Sequence, residues 1–506
     1  MPANHFDTII IGAGLSGIGA GYHLQTKCPS KSYAILEARA AIGGTWDLFR
    51  YPGVRSDSDM FTLGYPFRPW KEAKAIADGP SILHYVRDTA REFGIDRHIR
   101  FHHRVVSALW SSQQNRWRIE VETNNGPAHY TCNFLYGCTG YYRYDSGYQP
   151  KFPGVENYRG IFVHPQHWPE SLDCSGKRVV VIGSGATAVT LVPAMALTAA
   201  HVTMLQRSPT YLLTLPARDP LANFVRRVLP EHTAHGIVRW KNILIAVGLY
   251  QLARRSPEFC KRVLRGAASR QLPPGYDVNT HFNPRYNPWD QRLCFVPDSD
   301  LFRVISDGRA SVVTGVIDTF TESGIRLQSG QELPADVVVS ATGLQMIALG
   351  GIRLSVDGAP VDPARSFIYK GVMLSNVPNF AFCVGYTNAS WTLRADLSSN
   401  FVCRLLNHMQ YRGYHNVVPA CDPASLDPKP LLDFTSGYVL RAIADLPKQA
   451  STKPWFIRQN YICDAITMKL SRIDDGVLRF DSLASHSVIL TAATEGSGVE
   501  GPLCSR

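Results

Sequence analysis

No run of apolar residues in this 506-residue chain approaches 18, so a membrane-spanning helix is not expected. No two cysteines stand as CxxC, and none of the eleven falls at a metal-ligand spacing. That argues against zinc modules and dithiol redox motifs; no metal site is expected, and the thiols read as reduced, as in a cytoplasmic protein. Charge is sparse at 18%, and acids are the scarcer sign, 41 against 52 Lys and Arg, for a net charge of +11. A basic balance can serve nucleic acid or an anionic membrane. No stretch resembles an RNA- or DNA-binding module, so a nucleic-acid partner is not expected. The opening MPANHFD runs at once into a strand pattern, so a secretory leader is not expected. What remains is a globular composition, 45% hydrophobic, long enough for two or three domains.

Two stretches share one pattern. Thr8–Ile11 is an apolar run followed by Gly12, Gly14 and Gly17, then a helical periodicity. An all-apolar strand suits a parallel sheet covered on both faces. The three glycines allow a tight turn, the approach of backbone to a pyrophosphate, and close helix–strand packing. Ser16 lies within the turn, and the free N–H groups opening the helix favour an anion. The next strand, Tyr33–Leu36, ends at Glu37, placed to hold ribose hydroxyls. A 2′-phosphate would be repelled there. The second stretch, Lys177–Ile182, is followed by Gly183, Ser184, Gly185, Ala186, Thr187 and Ala188. Its partner strand, His201–Leu205, leads to Arg207 and Ser208 where the first unit has its acid. A cation at that point suits the 2′-phosphate of NADP. The first site therefore reads as FAD and the second as NADPH, in an α/β fold with two Rossmann-like dinucleotide-binding domains. No other internal repeat is visible.

Two further segments narrow the chemistry. Gly43 to Asp57 reads GG-x-W-x-x-x-x-YPG-x-x-x-D, and Tyr158 to Pro169 reads Tyr-x-Gly-x-x-x-His-x-x-x-Trp-Pro. The first contains no cysteine, which disfavours disulfide exchange at the place where disulfide reductases of similar layout carry a redox pair. The second joins the two nucleotide units and so has the task of orienting one nucleotide against the other. Both segments resemble the motifs of type I Baeyer–Villiger monooxygenases. Tyr158 is a conservative departure, since Phe usually stands first in the fingerprint. The resemblance extends over nearly the whole chain except the last dozen or so residues.

The resemblance implies that NADPH reduces FAD, that dioxygen adds to give a C4a-peroxyflavin, and that this attacks a ketone carbonyl to yield an ester or lactone. It carries the catalytic arginine to Arg292, in NPWDQRL, and its acidic partner to Asp57. It carries flavin contacts to Ser16, Glu37, Gly44, Thr45, Trp46, Asp47, Leu48, Asp57 and Val105. It carries NADP contacts to Arg55, Ser56, Asp57, the run Gly183 to Val189, Arg207 and Ser208. Gln291 departs from the family, many of whose members have Lys before the catalytic Arg. The NADPH preference then rests more heavily on Arg207. The expected partners are O2 and a small apolar ketone or sulfide, with sulfoxidation as a side activity; Trp289, Phe295, Tyr386 and Trp391 favour an apolar substrate. A heteroatom (N or S) flavin monooxygenase is the alternative enzyme. A non-catalytic FAD/NADP redox sensor is disfavoured by Arg292, Asp57 and the intact connector.

Asp219 to Arg270 changes character, Arg-rich and helical in pattern around the apolar Asn242–Ala253. It is expected to pack over the substrate cleft as an inserted helical subdomain, with attachment to a membrane surface as the sharper alternative. The expected division is 1–145 and 341–415 for FAD, 146–215 and 286–340 for NADP, 216–285 for the insertion, and 416–506 for a C-terminal wrap ending in a disordered tail, TEGSGVEGPLCSR.

Overall fold

The computed structural model describes residues 4–291 and 293–482. Arg292 and the TEGSGVEGPLCSR tail lie outside the described residues.

Two sheets carry the architecture. The first is nine-stranded, and its spine is Gly126–Gly137 beside His5–Ile11, Tyr33–Leu36 and Ile99–Arg100. Gly126–Gly137 changes role along its length. Its first half pairs antiparallel with Arg116–Thr123 and alternates between exposed and buried positions. Its second half pairs parallel with both His5–Ile11 and Phe380–Phe382 and is buried on both faces. The switch from alternating to continuous apolar residues follows from covering one face and then two. Arg104–Ser111 and Arg353–Val356 extend the far side, so residues past 350 return to the first sheet.

The second sheet is five-stranded and parallel, in the order Ala310–Thr314, His201–Gln206, Arg178–Ile182, Val337–Ser340, Ile161–Val163. Alternation at period two divides Arg178–Ile182. Val179 and Val181 pack against Leu191 and Val192 of the helix Ala186–Met195. Val180 and Ile182 pack against Phe320, Ile325 and Leu333, from a small antiparallel sheet on the opposite face.

Asp219 to Arg270 forms three helices, Pro220–Val228, Glu231–Arg255 and Pro257–Ser269. Among the described residues no helix is long and apolar enough to cross a membrane. The long helix Trp391–Arg412 lies against Leu15–Lys27, and Asn416–Pro419 pairs antiparallel with Leu478–Asp481.

Candidate active site

Both glycine turns open into one cleft of about 1370 Å³. Gly12 has φ +100°, and a Cβ there would sit 2.7 Å from the carbonyl oxygen of Cys138. Gly183 has φ +133°, and its Cβ would sit 2.4 Å from that of Ala341. In each unit the turn is pressed against the end of the neighbouring strand, which leaves room only for glycine. At Gly17 a Cβ would strike the Gly12 carbonyl, so that residue packs the helix onto the turn and does not line the cleft.

The first turn is held by Glu37. Its Oε2 accepts from the Ala13 N–H at 2.7 Å and its Oε1 from the Arg39 N–H at 2.9 Å. Burial raises the pKa of this carboxyl, and the two backbone donors oppose that rise. Lone pairs remain for ribose hydroxyls, because a carboxylate offers about four acceptor sites. Gly44 lies opposite Gly14, and Thr45 Oγ1 meets the Tyr144 hydroxyl at 3.3 Å. Trp391, opening the long helix, donates Nε1–H to Ser16 Oγ at 2.7 Å and stacks on Tyr141 at 4.8 Å. Gly12, Gly14, Ser16, Glu37, Gly44, Thr45, Trp46 and Val105 all line the cleft.

Asp47 and Leu48 do not line it. Asp47 is buried and pairs with Arg39 at 2.8 Å, Arg87 at 2.8 Å and Arg50 at 3.3 Å. Its carboxylate gathers three cations beside residues of the cleft wall, a structural use in addition to the expected flavin contact. Arg39, which sequence reasoning missed, does line the cleft and donates to the Gly44 carbonyl.

At the second turn, Gly183, Ser184, Gly185, Ala186 and Thr187 line the cleft, and Ser184 Oγ donates to the Ser208 carbonyl at 3.0 Å. Arg207 and Ser208 are exposed on its rim. Ala188 and Val189 face the sheet core instead, because a helix that starts at the turn soon points its residues away. Arg55, Ser56 and Asp57 line the wall between the turns. Arg55 forms an ion pair with Asp300, so its charge is partly committed within the protein. Burial pushes the nearby Tyr51 phenol up to about 12.

Gln291 lines the cleft, as do Phe295, Tyr386 and Trp391, while Trp289 packs aside against Tyr250 at 6.0 Å. The Tyr386 hydroxyl donates to Asp464, which also receives the buried Arg394 guanidinium at 2.6 Å. Sequence reasoning missed Arg441, whose guanidinium lies 3.4 Å from the Tyr148 ring centroid on the cleft wall. Nothing in GYVLRAIADL marked it.

The connector ties together the two crossings between the sheets. His164 Nδ1 accepts the Gln166 N–H, so Nε2 carries the proton and donates to the Gly343 carbonyl at 3.3 Å. Burial lowers the His164 pKa, which favours this neutral form. The buried Gln166 amide donates to the carbonyls of Arg143 and Tyr144, 2.9 Å each, on the other crossing. His164 and Trp168 do not line the cleft.

A family model of flavin-binding monooxygenase-like proteins matches residues 65–219, and one of NAD(P)-binding Rossmann-like domains matches residues 10–78. FAD-containing monooxygenase EthA of Mycobacterium tuberculosis is 55% identical over 477 residues, covering 94% of this chain and 98% of its own length. The chain belongs to the FAD-containing monooxygenases. The probable FAD-binding monooxygenase AlmA of Acinetobacter baylyi is 48% identical, covering 94% of the chain and 96% of its own length. Among solved structures, an oxidised steroid monooxygenase bound to NADP superimposes with a TM-score of 0.76 at 20% identity, over 94% of this chain and 100% of that one. Cyclohexanone monooxygenase from Rhodococcus bound to NADP+ gives 0.74 at 18%, over 95% and 99%. These two share the fold, and the α/β architecture with two nucleotide units expected from the glycine patterns is the one observed. For this FAD-containing monooxygenase, the cradle formed by Gly12, Gly14, Gly44 and Glu37 fits a flavin dinucleotide, since the backbone approaches closely and a carboxylate waits at the strand end.

Proposed function

We propose that the protein is an NADPH-dependent Baeyer–Villiger monooxygenase acting on an apolar ketone. The reading rests chiefly on the single cleft that joins the two glycine turns. Asp57 stands on the wall between them, and Gln291, the chain neighbour of Arg292, lines the same space. One oxygen atom of O2 enters beside the carbonyl to give an ester or lactone. The other leaves as water, with NADPH supplying a hydride and solvent a proton.

FAD, which Gly12, Gly14, Gly44 and Glu37 would hold at the first turn, would supply the activation of dioxygen, and NADPH at the second turn would supply the hydride. The chain's own residues bind, orient and shield. Arg207 at the rim takes the 2′-phosphate, a charge-assisted contact. Arg292 would supply the cation that stabilises the negative charge developing on oxygen, with Asp57 as its acidic partner. Phe295, Tyr386 and Trp391 keep water out and favour an apolar substrate. Residues 1–145 with 341–415 serve FAD and 146–215 with 286–340 serve NADPH, while Ser436, Gly437, Tyr438 and Arg441 of the C-terminal stretch line the cleft as well.

The second reading is a heteroatom monooxygenase, favoured by the match of residues 65–219 to flavin-binding monooxygenase-like proteins. The deciding experiment incubates holoprotein with NADPH and 2-octanone and analyses products by mass. Ester formation that is lost in Arg292→Ala, with flavin still bound, supports the first reading. Oxygenation of sulfides with every ketone untouched would replace it with the second.

A further inference from the structure

No residue of the insertion from Asp219 to Arg270 lines the cleft that it is expected to cover. Its inner side is anchored by polar groups. The buried Arg239 donates to the carbonyls of Phe61 at 2.7 Å and Gly64 at 2.8 Å, and Asn242 donates to Asp59 at 2.8 Å. Its outer side is apolar. Glu231–Arg255 exposes two neighbouring apolar stripes, Ile237, Trp240 and Leu244 at i, i+3 and i+7, and Ile245, Leu249 and Leu252 at i, i+4 and i+7. Leu221, Phe224 and Val228 form one such stripe on Pro220–Val228, as do Phe259 and Val263 on Pro257–Ser269. Phe224, Leu244 and Val263 keep 61%, 55% and 52% of their surface exposed. Single exposed apolar residues are ordinary, but repeated ones on three packed helices mark an interaction surface.

The same segment holds ten Lys and Arg against three acids, Asp219, Glu231 and Glu258. Two of those acids are taken by Lys241 and Lys261. Arg227, Arg255, Arg262, Arg265 and Arg270 are exposed, with no acidic partner among the described residues. A second copy of the chain pressed onto this face would bring like charges together.

We propose that this face binds the surface of an anionic phospholipid bilayer, with the apolar side chains at the acyl boundary and the arginines pairing with lipid phosphates. Attachment is peripheral. The face is tied to the cleft by one loop. Tyr250 packs on Trp289, and Arg254 pairs with Asp290 at 2.9 Å, the residue immediately before the cleft-lining Gln291. An apolar substrate dissolved in the bilayer thus lies beside the active-site loop. The proposal is independent of the reaction, because binding is read without turnover.

Full-length FAD-loaded protein is sedimented with vesicles of phosphatidylglycerol and phosphatidylcholine in equal parts, and with phosphatidylcholine alone. The expected result is at least ~10-fold stronger binding to the anionic vesicles, lost at high salt. In L244E/L249E binding falls ~10-fold on both, as the apolar contact is removed. In R262E/R265E only the preference for phosphatidylglycerol falls. Flavin absorbance and elution volume report that each variant is folded, and the arginine variant alone suffices if the leucine variant does not fold. Three results overturn the proposal: no sedimentation with anionic vesicles, sedimentation indifferent to both variants, or a wild-type dimer that L244E/L249E dissociates.

Discussion

The carbonyl oxygen of Ala341 stands 2.4 Å from where a Cβ on Gly183 would be. Cys138 presents the same obstacle to Gly12, at 2.7 Å. Each glycine turn is therefore shaped by the strand that carries the chain away from its sheet, and the second nucleotide site depends on the crossing at Ala341-Thr342-Gly343. Gly183→Ala must move that crossing or the turn, and φ +133° adds strain of ~1–3 kcal/mol. The variant is expected to keep FAD, seen as flavin absorbance. Its KM for NADPH should rise at least ~10-fold, since 1.4 kcal/mol is a factor of ten.

Arg207 is exposed at the second turn, whereas Arg55 is engaged with Asp300. Removing Arg207 should thus cost most of the discrimination for a 2′-phosphate. Arg207→Ala is expected to raise KM for NADPH by ~10- to 100-fold and to leave KM for NADH nearly unchanged, as a hydrogen bond to a charged group contributes ~1.5–3 kcal/mol. Steady-state oxidation of the two nucleotides measures the ratio. Equal losses on both would show that Arg207 supports the turn and not the phosphate.

The strands and turns were legible because their signals are local. Tyr33–Leu36 is apolar on both faces and ends at Glu37, and Arg178–Ile182 ends at its glycine in the same way. The family was legible in Gly43–Asp57 and Tyr158–Pro169. The partners were not. Trp391 meets Ser16 across 375 positions, Arg55 meets Asp300 across 245, and Arg441 meets Tyr148. A single sequence holds no pairing information at such distances. The insertion misled for a different reason. An apolar helical stretch reads as core, and only its inner face is core, through Ala234, Val238 and Ile243.

Asp47 shows how a motif residue can be structural. It is 3% exposed and neutralises Arg39 and Arg87, with Arg50 too exposed to matter much. Asp47→Asn leaves two cations side by side without a counter-charge, at a cost of ~2 kcal/mol once their partial exposure is allowed for. The denaturation midpoint should fall accordingly. Arg39, freed from Asp47, would hold Gly44 less firmly, so flavin should also dissociate more readily on dilution. Loss of flavin with unchanged stability would instead mark Asp47 as a direct contact.

His235 lies on the inner face of the long insertion helix, 5% exposed, and burial, aided by Arg239 beside it, pushes its pKa from 6.5 down to about 4. The unfolded chain accepts a proton near pH 6.5 that the folded chain refuses until about pH 4. The neutral ring therefore stabilises the fold fully above pH 6.5, and that stability drains away as pH falls through the window to about 4. The full effect is about 3 kcal/mol. His235→Leu removes the titration. Between pH 7 and 4 its Tm should fall less than that of the wild type, with the difference accumulating below pH 6.5. Parallel Tm curves for the two proteins would mean that the imidazole is protonated in place or that the helix lifts away before it is.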